Sequence, residues 1–195
     1  MPMAVLTRVV APNTQRGELR VQMWSTTDIE EMGDYWGRNR RHLSPTQPHR
    51  DPEFWTVEGQ RQRVERASND VAVGRMYPFL VREDGQLVAE IGLSDVARGV
   101  FQSCHLGYSV DADRLRRGVA SWAVTAVVDM AFHDLGLHRL QAATMVENEA
   151  SQGVLQRCNF DRIGVAPGYL AIAGEWTDHV LWQRINPARD PPVPL

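Results

Sequence analysis

A change of hydrophobic period near residue 118 constrains the fold of this chain more than any other feature. Residues 103–110 read as a strand, whereas residues 118–135 carry apolar side chains at helical spacing and are followed by Gly136, a typical helix-ending residue. Residues 140–146 then read as a second strand. A strand, a helix and a strand in this order predict a crossover that joins two parallel strands of one sheet.

Antiparallel strands are predicted on both sides of this crossover. Apolar and polar residues alternate in several short runs, which is the pattern of half-buried strands. The runs cover residues 18–24, 76–82, 86–95, 169–172 and 176–184. The dipeptides Asp84-Gly85 and Ala173-Gly174 lie between neighbouring runs and predict hairpin turns. Residues 5–10 alternate in the same way and are consistent with an edge strand.

Three further helices are predicted around the sheet. They cover residues 28–39, 52–66 and 150–158. Thr27 and Glu30 have the spacing of a capping box, and Pro52 suits the first turn of a helix. Ser151 is a good N-cap for the last helix. The predicted fold class is therefore α/β, as a mixed α+β arrangement: a mostly antiparallel mixed sheet with a central strand–helix–strand crossover and flanking helices.

The length and composition fit a single domain. A chain of 195 residues can bury a sizeable core, and we predict one domain over residues 1–186 followed by a proline-rich tail over residues 187–195. The net charge of −3 argues against a nucleic-acid binder that works by neutralising phosphates. The 21 basic residues are all arginine, which excludes a catalytic lysine.

The cytoplasm is the expected location. No apolar run reaches the roughly 18 residues of a membrane span, and residues 1–10 lack the pattern of a secretory signal. Cys104 and Cys158 fit buried thiols of a reducing compartment. No residue spacing in the chain predicts a metal site.

Two helix starts are candidate binding sites. The loop 111–117 leads into Gly118, and the free amides and positive dipole of a helix start suit a phosphate or pyrophosphate. The same residues also fit a purely structural role, in which a glycine begins the helix and the basic loop before it is exposed to solvent. Asn148 and Ser151 likewise fit a binding role. In the structural alternative, Asn148 is a turn residue and Ser151 is the helix cap. Both starts belong to one strand–helix–strand unit, which places them at the same edge of the sheet.

Four segments, in the same order, carry a resemblance to a known family. They cover residues 39–48, 97–110, 148–160 and 168–179. They resemble, in turn, the stretch between the first two helices, the central strand, the N-x-x-S…L-x-x-x-G-F element and the closing hairpin of GNAT-superfamily acyltransferases. Within that superfamily the chain is most similar to the RimJ/RimL-type ribosomal-protein alanine N-acetyltransferases. The similarity covers about residues 14–186.

The resemblance implies acetyl-CoA as the acetyl donor. The family's pyrophosphate loop, [Q/R]-x-x-G-x-[G/A], matches at Gly118 and Ala120, whereas Leu115 replaces the expected Gln or Arg. Arg114 or Arg116 could supply the missing charge. The open end of the central strand would pair with the pantetheine arm. The implied cofactor-binding residues are Leu106, Tyr108, Val110, Leu115, Arg116, Arg117, Gly118, Val119, Ala120, Asn148 and Ser151.

The resemblance also implies direct attack of a neutral amine on the thioester. An amide of the central strand would stabilise the developing oxyanion, an effect of roughly 3 kcal/mol. Ser151 would protonate the leaving thiolate, and Asn148 would hold the pantetheine arm or the Ser151 loop. A general base, or a water that relays to one, would remove the amine proton.

The general base is where this chain departs from the family. Relatives carry Glu or Asp directly before the tyrosine of the closing hairpin, but here Gly168 precedes Tyr169, which we keep as a catalytic candidate. We predict Glu90 as the substitute base, against the alternative that it faces solvent on a half-exposed strand. Asp178 and His179 of the closing hairpin are the other candidates.

The acceptor groove of the family lies between the first two helices and the closing hairpin. The residues expected to line it are Tyr35, Arg38, Asn39, Trp176 and Asp178. The expected acceptor is the α-amino group of a protein, with a ribosomal protein as the best candidate and no contact with nucleic acid or membrane. A polyamine or aminoglycoside stays open, because Glu30, Glu31 and Asp34 lie near the groove. A CoA-binding protein with little catalysis is a further alternative. The chain could act as a monomer or as a homodimer.

Overall fold

The computed structural model describes residues 7–9 and 17–188. Within them, eight strands form one sheet, on which five α-helices pack. The strands are β1 (Thr7–Val9), β2 (Leu19–Met23), β3 (Tyr77–Glu83), β4 (Gln86–Ala97), β5 (Ser103–Val110), β6 (Arg139–Met145), β7 (Asp161–Ile172) and β8 (Glu175–Ile185). The helices are α1 (Ile29–Arg38), α2 (Arg40–Leu43), α3 (Val57–Ala72), α4 (Val119–His133) and α5 (Glu149–Arg157). Residues 189–195, most of the predicted tail, lie outside the described residues.

The sheet confirms the predicted fold class. Its strand order is β1-β2-β3-β4-β5-β6-β8-β7. Within this sheet, β5 and β6 are parallel and joined by α4, and the other neighbouring strands are antiparallel. The hairpin between β3 and β4 turns at Asp84 and Gly85, whose φ values of 50° and 85° suit a type I′ turn.

The helices form two layers, one on each face of the sheet. On one face, Met32 of α1 and Val64 of α3 pack with Leu80 of β3 in a buried cluster. Gly33 allows this close packing, because a Cβ there would lie 2.5 Å from a methyl carbon of Val57. On the other face, α4 and α5 pack with the remaining core residues. None of the helices in the described part of the chain is both long and apolar enough to cross a membrane.

Alternation along the strands directs neighbouring residues of the central strands to different helix layers. Glu90 of β4 pairs in register with Leu80 and Ser109, so these three side chains face α1 and α3. Tyr108, one residue earlier on β5, packs against the cluster around α4. The two layers therefore receive different functional groups from the same strands.

The first predicted helix cap is wrong. Ser25 and Asp28 form the capping box, around a single 3-10 turn, and α1 begins directly after it. Thr27 and Glu30 have the same spacing, but Thr27 donates its backbone N–H to the Ser25 hydroxyl inside this turn. The helix therefore begins at Ile29.

Two other helix starts also differ from prediction. Pro52 begins a 3-10 turn instead of the helix, and Thr56 caps α3 by accepting the Gly59 amide N–H. Asn148, and not Ser151, is the N-cap of α5. In each case a neighbouring polar residue reaches the free amides of the first turn better than the predicted one.

Candidate active site

Strands β5 and β6 separate to form an opening at the centre of the sheet. Their parallel ladder runs only from Ser103 to His105 on β5. Beyond it, β5 continues to pair with β4 as far as Val110, and β6 with β8 as far as Met145. The edge of β5 from Leu106 to Val110 therefore has no strand partner on the β6 side in the described chain. We call this opening the strand cleft; such an edge can pair with an extended polar ligand.

The start of α4 lies at the end of β5. Gly118 precedes the helix with a φ of 76°, a left-handed conformation that glycine adopts without strain. The amides of the first turn have no partner within the helix and can bind an anion. Leu115 is 47% exposed, and Arg116 and Arg117 are exposed beside it. Arg114 donates to Glu83 at 2.7 Å, so its guanidinium is engaged by that carboxylate.

A buried anchor holds the loop before α4 against α1. Asp111 accepts hydrogen bonds from Arg38 at 2.8 Å and from Asn39 at 3.1 Å. The Asn39 side-chain oxygen also accepts the amide N–H of Ala112 at 2.9 Å. Burial raises the pKa of Asp111, but the hydrogen bonds from Asn39, Asp113 and Arg38 outweigh it and hold the pKa below its usual range. Arg38 and Asn39 thus fix this loop and do not line the predicted acceptor groove.

A side-chain contact joins β5 to the start of α5. Asn148 accepts the amide N–H of Ser151 at 3.0 Å, which fixes the first turn of α5. The Ser151 hydroxyl lies 2.7 Å from the hydroxyl of Tyr108, and the Ser151 carbonyl oxygen accepts from the same phenol at 3.2 Å. The structure therefore brings together three residues that the sequence predicted for cofactor binding.

The Tyr108 phenol is protonated at neutral pH. Burial raises the pKa of Tyr108 to about 12, against the lowering effect of the hydrogen bond with Ser151. The phenol therefore keeps its proton under physiological conditions. It can donate that proton to the Ser151 hydroxyl when this hydroxyl gives up its own.

Tyr108→Phe tests this contact. The variant keeps the ring but removes the hydroxyl that contacts the Ser151 hydroxyl and carbonyl oxygen, so we expect kcat to fall about tenfold, the equivalent of about 1.4 kcal/mol. The Kd for acetyl-CoA should change much less than kcat. Thiol release gives kcat and calorimetry gives Kd. Tyr77→Phe, which removes a buried phenol of β3 outside both clefts, is the control; equal kcat values for the two variants would exclude a role for the Tyr108 hydroxyl.

A second cleft, of about 210 Å³, opens on the face that carries α1 and α3. We call it the α1–α3 cleft. Its polar lining includes Gln47, Arg63, Glu90 and Ser109. Gly107 to Ser109 of β5 also line it, so this segment borders both clefts.

Glu90 is held in place in the α1–α3 cleft. Its side chain accepts a hydrogen bond from the Trp36 indole at 2.9 Å and pairs with both terminal nitrogens of Arg63. Glu90 is 8% exposed, so the alternative that it faces solvent is wrong. The bidentate pair with Arg63 fixes the position of the Glu90 carboxylate in the wall of the cleft.

Tyr35 does not line either cleft. It is fully buried, and its hydroxyl lies 2.9 Å from the Ser109 hydroxyl, which itself lines the α1–α3 cleft. Burial raises the pKa of Tyr35 well above its usual range. The prediction that Tyr35 contacts the acceptor directly is therefore wrong, because the ring fills the core under α1.

The predicted residues of the closing hairpin lie on β7 and β8. Trp176 is 73% exposed, and Asp178 accepts the Gly168 amide N–H at 2.8 Å. The Tyr169 ring packs against the His179 ring with centroids 5.8 Å apart, and His179 is only 2% exposed. None of these residues is among those that line the α1–α3 cleft.

Sequence reasoning missed Arg63 and Gln47 as cleft residues. Arg63 lies three residues after Gln60 and directly before Val64, and both of these residues are buried. The helical period of α3 therefore places Arg63 on the helix face that meets the sheet. An arginine on an apolar helix face was the available signal. Gln47 lies between two prolines and carried no comparable signal.

Comparison with known proteins identifies the family of the chain over most of its length. A family model described as an acetyltransferase (GNAT) domain matches residues 18–161. The probable N-acetyltransferase YjcK of Bacillus subtilis is 32% identical over 169 residues, covering 86% of this chain and 93% of the relative.

Two solved structures are similar over nearly the whole chain. The ribosomal-protein-S5-alanine acetyltransferase of Vibrio fischeri has a TM-score of 0.86 and 30% identity, and covers 94% of this chain and 100% of its own. Mycobacterium smegmatis RimJ, in complex with CoA-disulfide, has a TM-score of 0.83 and 27% identity, and the match covers 93% of this chain and 86% of the RimJ chain. The family model matches most of this chain, and YjcK matches it over most of its own length, so the chain belongs to the GNAT acetyltransferase family.

Proposed function

We propose that the chain transfers the acetyl group of acetyl-CoA to the α-amino group of a protein, with a ribosomal protein as the best candidate. One observation carries the proposal: Gly107 to Ser109 of β5 line the α1–α3 cleft, and the same stretch of strand has its free edge in the strand cleft. A donor held at that edge and an amine held in the α1–α3 cleft would meet at one strand from opposite faces.

The strand cleft fits acetyl-CoA. The free edge of β5 offers backbone hydrogen bonds to an extended arm, and the start of α4 offers amides to a pyrophosphate. Arg116 and Arg117 add positive charge there. When bound, acetyl-CoA supplies an activated thioester. A β5 amide directed at the acetyl oxygen would stabilise developing negative charge by about 3 kcal/mol.

Residues on both faces of the sheet handle the protons. Glu90 accepts the proton of the attacking amine, directly or through a water, because its carboxylate is fixed in the α1–α3 cleft. Ser151 donates its proton to the leaving thiolate, and Tyr108 donates to Ser151 in turn. Water then returns a proton to Tyr108, and Glu90 releases the proton it took from the amine, so both residues regain their starting states. The protonated form of an α-amine has a pKa of about 8, against about 10.4 for that of lysine, so an α-amine needs less help from a base.

The three carboxylates that kept a polycationic acceptor open do not line the α1–α3 cleft. Glu30 pairs with Arg61, and Glu31 pairs with Arg82. Asp34 lines a separate cleft beside the β3–β4 turn. Glu90 is then the one carboxylate among the residues that line the α1–α3 cleft, and Arg63 balances its charge. This arrangement favours the single amine of a protein terminus over a polyamine or an aminoglycoside.

A competition among acceptors tests the proposal. The protein is incubated with acetyl-CoA and equimolar amounts of spermidine, kanamycin and a peptide that has a free amino-terminal alanine and an internal lysine. Mass spectrometry locates the acetyl group. We expect it on the α-amine of the peptide. Acetylated spermidine or kanamycin would contradict the proposal, and binding of acetyl-CoA without any acetylated product would support a role without catalysis.

A further inference from the structure

A positively charged surface lies beside the α1–α3 cleft. Residues 39–50 contain no acidic residue, although the whole chain has a net charge of −3. Their basic residues are Arg40, Arg41, His42, His49 and Arg50. Within the described part of the chain, none of these arginines forms an ion pair. The segment thus offers several guanidinium groups that have no carboxylate partner of their own.

Part of this segment forms a cleft of about 280 Å³, which we call the basic cleft. Arg40, His49 and Arg50 line it together with Trp55, and no carboxylate does. The Arg40 guanidinium lies 5.9 Å from the Trp55 ring centre, and the Arg50 guanidinium lies 4.6 Å from the ring centre of Phe54. Stacking of this kind positions a guanidinium while its N–H donors stay available to an anion.

The positive charge continues toward the α1–α3 cleft. Partial burial lowers the pKa of Arg50, and the nearby positive charges of Arg63 and Arg66 add to this effect, while Glu90 opposes it. Arg63 and Glu90 line the α1–α3 cleft, so Arg50 lies within electrostatic range of that cleft. An anion at Arg50 would relieve the repulsion among these arginines.

The two clefts share a wall. Gln47 lines the α1–α3 cleft, while its neighbours Pro45 and Pro48 line the basic cleft. The Gln47 carbonyl accepts the amide N–H of Ala173 at 2.9 Å, which fixes the tip of the closing hairpin against this wall. A polypeptide whose amino terminus enters the α1–α3 cleft can therefore continue past Gln47 along the basic cleft.

We propose that the basic cleft binds acidic side chains of the acceptor polypeptide, a few residues after its amino terminus. The proposal rests on the proposed function, because it takes the acceptor to be a protein. Arg40 and Arg50 would form charge-assisted hydrogen bonds with Asp or Glu carboxylates. Nucleic acid fits less well, because the positive surface is short and the chain as a whole is negative.

Direct binding tests this inference independently of catalysis. Two labelled peptides share a sequence with an acetyl-blocked terminus, but one carries Asp and Glu at the third to sixth positions and the other carries Asn and Gln. Fluorescence anisotropy gives their Kd values for the wild type, for Arg40→Gln/Arg50→Gln and for Arg162→Gln. Arg162 is an exposed arginine at the start of β7 and serves as the control. We expect the acidic peptide to bind about tenfold more tightly than the neutral one, only to the wild type and the control.

The same peptides with free amino termini extend the test to kcat/KM. The acidic peptide should be preferred at low salt, and the preference should fall as salt is added. Equal binding of both blocked peptides to the wild type would overturn the inference, and so would tighter binding of a single-stranded oligonucleotide than of the acidic peptide. Equal acetylation of the two free peptides would overturn the inference alone, whereas binding of the acidic peptide without acetylation would overturn only the proposed function.

Discussion

Glu90→Gln is expected to lower kcat about a hundredfold at neutral pH and to make the alkaline rise of the rate steeper, because solvent alone must then deprotonate the amine. The amide side chain can still accept the Trp36 N–H, but it cannot take a proton from the amine. Initial rates measured from about pH 6 to about pH 10, which spans the pKa of an α-amine, give the profile. An unchanged profile would remove Glu90 from proton transfer.

Glu83→Gln is the matched control for this change. Glu83 and Arg114 form a pair whose side chains are 12% and 25% exposed, close to the 10% and 22% of Glu90 and Arg63. Both variants leave an arginine without its partner and should lower the free energy of unfolding by up to about 3 kcal/mol. Only Glu90→Gln should alter the pH profile, so loss of stability and loss of the base are separated.

Ser151→Ala is expected to lower kcat about a hundredfold while the Kd for acetyl-CoA stays unchanged. The variant removes the proton donor proposed for the thiolate and leaves the Asn148 cap, which binds the backbone of residue 151, in place. Thiol release gives kcat, and calorimetry gives Kd. Ser68→Ala, which removes a helix hydroxyl from α3, is the control. Parallel losses in kcat and in affinity would reduce Ser151 to a structural residue.

The order of strands and helices could be predicted from the sequence because each signal is local. The Asp84-Gly85 turn, the helical period of α4 and the last hairpin turn at Ala173-Gly174 all recur in the structure at the expected places. Helix starts were less predictable, since several polar residues compete for the same free amides. Ser25 prevails over Thr27, and Asn148 over Ser151, through side-chain geometry that spacing does not encode.

The candidate site was predictable where it depends on the backbone. The free edge of β5 and the positive φ of Gly118 follow from the crossover and from the glycine. The side chains of the α1–α3 cleft come from distant parts of the chain, and their pairing was not predictable. Arg63 meets Glu90 only because α3 packs on β4, and Tyr35 turns into the core instead of the cleft.

Thiol release from acetyl-CoA with two peptides of one sequence tests whether the protein acetylates a protein α-amine. One peptide has a free amino-terminal alanine and a blocked internal lysine; the other has a blocked terminus and the same lysine free. We expect release with the first peptide only. Release with the second peptide alone, or with neither while acetyl-CoA still binds, would contradict acetylation of a protein α-amine.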